Sequence, residues 1–342
     1  MQLKLLSDQE NKMNTNKNSL KKMAGQRLML GFNGTRLNND LKNIIHEIKA
    51  CGIILFKRNI ETLDQVAALC RECQKYAKKC GIPPLFIAVD QEGGTVARFR
   101  ELFTIFKGNP YIGSVEDARN FALITADELK QIGINMNFAP VLDVVPEGVD
   151  SIMKQRAFKG DAKKVSTLGM EVIQTMQENG IMAVAKHFPG IGRTIKDSHF
   201  HLPVLNKDLK TLEQSDLLPF KNACTKGVSG IMLSHIMYTQ LDNEWPASLS
   251  PFIANDLLRG QLGYQGLVMT DDLDMKAIKH DMKTSIHQVL KSDIDMALIC
   301  HKGPDIKIAF NEITKQITND KTLYKACEKS VLRILKYKKM LS

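Results

Sequence analysis

A single (β/α)8 TIM-type barrel is the α/β fold that this sequence predicts. Three observations lead there. Eight short apolar runs alternate with amphipathic stretches along the body of the chain, the pattern of parallel strands covered by helices. The length of 342 residues suits one such barrel. No Gly-x-Gly-x-x-Gly follows an early strand, which disfavours the open, doubly wound sheet that would otherwise fit the alternation.

The predicted strands occupy residues 28–32, 53–56, 85–89, 134–138, 182–185, 231–233, 267–269 and 296–299. They are rich in Ile, Leu, Val and Met and short enough to be buried on both faces. The predicted helices between them include 62–79, 115–132, 162–179, 208–224 and 250–261, and 306–341 reads as two further helices with a basic tail. Cys70 and Cys73 form a C-x-x-C inside the first of these helices. With no second pair or histidine nearby they read as helix-face thiols, not as a zinc or redox pair. No Pro/Gly/Ser-rich linker divides the chain and no further repeat is visible. Residues 24–342 are therefore expected to form one domain. Residues 1–23, rich in Asn, Lys, Ser and Gln, are expected as a disordered extension without the apolar core of a signal peptide.

Composition narrows the function classes. Hydrophobic residues make up 44% and charged residues 25%, which excludes a mainly disordered chain. No run approaches the roughly 18 apolar residues of a membrane-spanning helix, so no membrane partner is expected. The net charge of +10 is concentrated at the two ends. Residues 1–25 hold five Lys against Asp8 and Glu10, and residues 301–342 hold ten basic against four acidic side chains. The body is left near neutral, without a basic stripe interleaved with aromatics, so no nucleic-acid partner is expected. Seven irregularly spaced cysteines fit free thiols in a reducing, cytoplasmic setting.

In a barrel, chemistry collects on the loops after the strands. Those loops carry Asp90, Lys186 with His187, Ser234 with His235, and Asp271 with Asp272. The segment from Lys186 to His199 leaves the fifth strand through Lys-His-Phe-Pro-Gly, and its Pro189, Gly190 and Gly192 favour a loop. At its far end Asp197 and His199 are two residues apart. A carboxylate at that spacing can accept from one imidazole nitrogen and leave the other free for proton transfer. A second apolar strand delivers Asp271, which near the cationic Lys186 would stay ionised and could act as a nucleophile. Asp272 reads as the N-cap of a helix starting at Leu273. A third segment, Val-Asp90-Gln-Glu-Gly-Gly with Arg98 further on, offers a carboxylate for two sugar hydroxyls. Its Gly93-Gly94 pair permits a tight turn.

Together these segments resemble glycoside hydrolase family 3, and within it the single-domain bacterial β-N-acetylhexosaminidase branch of the peptidoglycan-recycling type. The resemblance runs from about residue 24 to 297. The family's Val-Asp-x-Glu-Gly-Gly is matched at 89–94, and its Asn-x-x-x-Ala-Pro-Val-x-Asp-Val at 135–144. An Arg-x-Phe-x-x-Asp turn is matched by Arg156, Phe158 and Asp161. The Lys-His-Phe-Pro-Gly…Asp-Ser-His string is matched at 186–190 and 197–199, Pro-Ala-Ser-Leu-Ser at 246–250, and Thr-Asp-Asp-Leu-x-Met at 270–275. The family's loop usually reads Gly-His-Gly-Asp-Thr; here Ile191 and Arg193 replace its His and Asp.

The resemblance implies a retaining hydrolase that releases terminal non-reducing β-linked N-acetylglucosamine from muropeptides or chito-oligosaccharides. Asp271 would be the nucleophile and His199 the acid/base, polarised by Asp197. Asp90, Arg98, Arg156, Lys186 and His187 would line the sugar subsite. No metal or cofactor is expected, and the chain is expected to be a monomer. Other readings stay open: another β-glycosidase or a glycoside phosphorylase on the same fold, a non-catalytic sugar-binding barrel, or a metal-dependent hydrolase using His187, His199, His201 and His235.

Overall fold

The computed structural model describes residues 18–195, 202–301 and 303–341. Eight parallel strands close into a barrel in chain order: β1 (Leu28–Leu30), β2 (Gly52–Leu55), β3 (Phe86–Val89), β4 (Met136–Asn137), β5 (Met182–Phe188), β6 (Gly230–Leu233), β7 (Leu267–Asp272) and β8 (Met296–Ile299). β8 returns to β1 with Leu28 opposite Ala297 and Leu30 opposite Ile299. All eight apolar runs of the sequence contribute one strand each. Both strand faces are buried, and the period of two sorts them. Met29, Ile54, Phe86, Ala88, Met182 and Val184 point into the barrel, while Leu28, Leu30, Ile53, Leu55, Ile87 and Val89 pack outward. Six methionines (Met29, Met136, Met182, Met232, Met269, Met296) fill the interior, where their unbranched side chains adapt to an irregular space.

Helices α1 (Leu63–Lys79), α2 (Val115–Gln131), α3 (Ala162–Glu178), α4 (Leu218–Thr225), α5 (Met282–Lys291), α6 (Pro304–Asn319) and α7 (Lys321–Lys338) surround the barrel. Most start where a polar side chain accepts a free amide of the first turn: Thr62 for α1, Ser114 with Asp117 for α2, Asp161 for α3, Asp281 for α5 and Asp320 for α7. The helix predicted over 208–224 is split into a single turn, Leu209–Glu213, and α4. Pro219 explains the break, because it has no amide to donate and is tolerated only in a first turn. The 250–261 segment is helical but wound as a wide π-helix, Phe252–Gln261. No helix begins at Leu273. Asp272 ends β7 and does not cap a helix, since α5 starts nine residues after Leu273, at Met282.

The N-terminal boundary also moves. Residues 18–25 are helical, with Leu20 and Met23 packed on the core, so residues 18–23 do not belong to a disordered extension. Residues 1–17 lie outside the described residues. At the opposite end of the chain, α7 closes the base of the barrel. Ile334 and Tyr337 join the interior cluster, and the Lys338 ammonium donates to the Cys51 carbonyl at 2.7 Å over the Phe86 ring. Among the described residues no helix is long and apolar enough to cross a membrane.

Candidate active site

The C-terminal ends of the strands surround a cavity of about 600 Å³, lined among others by Asp90, Arg98, Arg156, Lys186, His187 and Asp271. A larger hollow of about 1080 Å³ is lined by residues within 144–163 together with Gln214, Ser215 and Leu218. That hollow lacks Asp90, Arg98, Arg156, Lys186, His187 and Asp271, so the smaller cavity is the one that the site residues expected from the sequence share.

Two interruptions of the barrel ladder let neighbouring residues share this cavity. Between β5 and β6, Lys186 is opposite Met232 and Phe188 opposite Leu233, which leaves His187 as an extra residue. Between β7 and β8, Met269 is opposite Met296 and Asp272 opposite Leu298, again one residue too many on β7. Regular strands send successive side chains to opposite faces. A bulge breaks that alternation and re-aims side chains at a barrel rim. Lys186 with His187, and Asp271 with Asp272, consequently face the same space.

The cavity wall is a chain of ion pairs. Arg98 Nη2 donates to Asp90 Oδ2 at 2.9 Å. Lys186 Nζ lies 2.7 Å from Asp90 Oδ1 and 2.7 Å from Glu92 Oε1. Arg156 closes the chain with two parallel bonds to Glu92, Nε to Oε2 at 2.9 Å and Nη2 to Oε1 at 2.7 Å, the fork geometry that suits a carboxylate. Burial alone would raise the Asp90 carboxyl, but Lys186 and then Arg98 outweigh it and hold it well below the usual carboxylate range. Glu92 is likewise pulled down to about 2 against burial, by Lys186 and Arg156. Lys186 is held protonated against burial by the two carboxylates. The wall therefore presents fixed, mutually held charges to the cavity.

His187 is oriented from behind. Its Nδ1 lies 2.8 Å from Asp143 Oδ2, and Arg156 Nη2 faces its Nε2 at 3.4 Å. The Asp143 carboxylate only accepts, which places a hydrogen on Nδ1. His235 sits between the Ser248 hydroxyl at 2.6 Å and the Asp272 carbonyl at 2.7 Å. Burial pushes the Asp271 carboxyl up, but the His235 and His187 rings, the Asp272 amide and Lys186 together bring it below its ordinary value. The sequence pointed to Lys186 as the cause of that ionisation; the two rings contribute more. Asp272 behaves oppositely: burial and the neighbouring Asp274 push it up to about 6.

The structure thus brings together Asp90, Arg98, Arg156, Lys186, His187 and Asp271 around one cavity. Asp197, His199 and His201 lie outside the described residues. Sequence reasoning assigned no role to Glu92 and Asp143, although both fall in quoted motif segments. The available signal was an acid just beyond an apolar barrel strand, in Asp90-Gln-Glu92 after β3 and in Pro140-Val-Leu-Asp143 after β4. As for a metal, His187 and His235 are engaged with separate partners. Asp272, Asp274 and His301 do offer three donor atoms within 4.8 Å of one another. Their carboxylates already accept backbone amides of Asp274, Cys300 and His301.

An eight-stranded parallel barrel with charged side chains collected at the C-terminal ends of its strands has the layout of a barrel enzyme. The chain belongs to glycosyl hydrolase family 3: residues 18–337 match the profile of the family's N terminal domain. It is 35% identical over 285 residues to a beta-hexosaminidase of Alkalilimnicola ehrlichii, covering 80% of each chain. It is 37% identical to one of Thiobacillus denitrificans, covering 80% of this chain and 78% of the relative. Among solved structures it resembles the family 3 beta-N-acetylglucosaminidase of a Paenibacillus species, with TM-score 0.88, 35% identity, 94% of this chain and 62% of that one. It also resembles the beta-N-acetylhexosaminidase of Beutenbergia cavernae, with TM-score 0.87, 26% identity, 93% of this chain and 98% of that one.

Proposed function

We propose that this protein is a retaining β-N-acetylhexosaminidase that removes terminal, non-reducing β-linked N-acetylglucosamine from muropeptides or chito-oligosaccharides. The observation that carries the reading is the place of Asp271 near the end of β7, in one cavity with the Asp90–Arg98–Lys186 wall, where nearby rings and Lys186 hold its carboxyl below its ordinary value. In this reading the Asp271 carboxylate attacks C1 of the sugar while the leaving oxygen takes a proton, and water then releases the sugar from the covalent ester. Asp90, Lys186, Arg98, Arg156 and His187 grip the sugar that occupies the cavity. The proton donor is His199, oriented by Asp197; both roles come from the family resemblance and from the chemical need for a donor near neutral pKa. The relatives named for hexosaminidase activity support the substrate class. Seven free thiols support a reducing, cytoplasmic setting, and a monomer is the simplest assembly for a site built within one chain.

Kinetics on aryl N-acetyl-β-glucosaminides test this. D271A is expected to lower kcat/KM by about a thousandfold or more, since the covalent route is lost; undiminished turnover refutes the nucleophile. H199A is expected to impair a phenyl glycoside far more than a dinitrophenyl one, because only the poor leaving group needs protonation. A second donor candidate is Asp272, favoured by its carboxyl at about 6. One of its oxygens is committed to the Asp274 and Cys300 amides, so D272N is expected to lack that leaving-group signature. If D272N shows it and H199A does not, the donor is Asp272.

A further inference from the structure

The loop after β5 departs from the family string at Ile191 and Arg193, and the structure gives these two residues definite tasks. The Ile191 amide donates to Asp143 Oδ1 at 2.7 Å, and Asp143 Oδ2 holds the His187 ring. Gly192 presses against Val144 so closely that a Cβ would stand 1.9 Å from its carbonyl oxygen. The Thr194 carbonyl accepts the Ile152 amide at 3.0 Å, tying the turn to the segment that carries Arg156. Only one side chain of this turn reaches an ionic partner: Arg193 Nε lies 2.9 and 3.1 Å from the two oxygens of Asp216. Asp216 has no exposed surface, and it packs against Gly190 from the segment that leads into α4.

We propose that Arg193, through its ion pair with Asp216, is a positioning residue for sugar recognition. It pins the 190–194 turn, the turn's Ile191 amide holds Asp143, and Asp143 holds the His187 imidazole toward the sugar. This inference rests on the sugar-cavity reading given above. A buried carboxylate is tolerated only with a partner, so Asp216 gives the guanidinium a fixed anchor. The guanidinium in turn fixes a turn that glycines alone would leave loosely specified. Arg193 touches no substrate in this account; it acts through Ile191, Asp143 and His187.

The test is a double-mutant cycle on the full chain. R193A is expected to raise KM for N-acetylglucosaminides about tenfold, the order expected from a small misplacement of binding groups, with kcat within about threefold. The loss should be equal for phenyl and dinitrophenyl glycosides, and R193K should recover part of it. In a D143N background, R193A should add less than about twofold, because both changes break the same relay. An unchanged KM, fully additive losses, or a loss confined to the poor leaving group overturns the proposal. If R193A does not fold, R193Q/D216N removes both charges while keeping an amide pair, and the same kinetic outcomes decide. Nitrogen NMR of the His187 ring reads the relay without turnover. Its Nδ1–H signal should exchange faster in R193A than in the parent, and an unaltered signal also overturns the proposal. An inactive parent with an altered ring signal would refute the hexosaminidase reading and leave the relay standing.

Discussion

Glu92 shows what a single side chain does here. It is 2% exposed and neutralises parts of both Lys186 and Arg156. Changing it to Gln keeps the shape and removes the charge, leaving Arg98, Lys186 and Arg156 with Asp90 as the one carboxylate of that chain of pairs. Removing one partner of a buried pair costs about 3–5 kcal/mol, and E92Q is expected to lose stability of that order in urea unfolding. The pH dependence has a definite sign. A carboxyl whose pKa is lowered by folding stabilises the fold above its unfolded value and loses that contribution as pH falls through its folded value. Glu92 goes from 4.5 to about 2, so its share vanishes between those limits. The stability of E92Q should fall less steeply than that of the parent over the same window, and parallel curves would count against this account.

At the scale of elements, the helices owe their starts to caps and the cavity owes its residues to strand ends. α2 begins with a reciprocal box in which the Ser114 hydroxyl accepts the Asp117 amide and the Asp117 carboxylate accepts the Ser114 amide. S114A is expected to cost about 1 kcal/mol and to leave kcat/KM unchanged, since α2 packs outside the barrel; calorimetric melting and kinetics on one preparation check both. The tight turn after β3 behaves differently. Gly94 has φ +61°, and a Cβ there would stand 2.7 Å from the Lys107 carbonyl. A side chain at that position would displace the turn that leads from Asp90 to Arg98.

At the scale of the whole molecule, α7 plugs the base of the barrel with a lysine. Burial brings the Lys338 ammonium down from 10.5 to about 8. For a lysine lowered in this way the unfolded chain binds more protons between those values, so stability rises with pH across that window. K338M fills similar space without a charge. The stability difference between K338M and the parent should therefore shift in favour of the parent by about 3 kcal/mol between pH 7 and pH 10.5, from about 1.4 kcal/mol per unit of pKa. Urea unfolding at several pH values measures it, and a pH-independent difference would remove Lys338 as the cause.

The sequence by itself determined the barrel. Eight apolar runs became eight strands because a strand buried on both faces needs only local hydrophobicity to be recognised, and caps and glycines mark the joints between elements. It also supplied most of the candidate cavity residues, since strand ends are the positions a barrel must turn toward its mouth. Only the tertiary structure decided which charges meet. Glu92 and Asp143 look like ordinary loop acids until the closing of the barrel sets one against Lys186 and Arg156 and the other against His187. Arg193 finds Asp216 across 23 residues. The one-residue bulges on β5 and β7 are invisible to a pattern of period two, because an extra residue shows only when the partner strand fixes the register. Contact between residues distant in the chain is a property of packing, and no local stretch of sequence carries it.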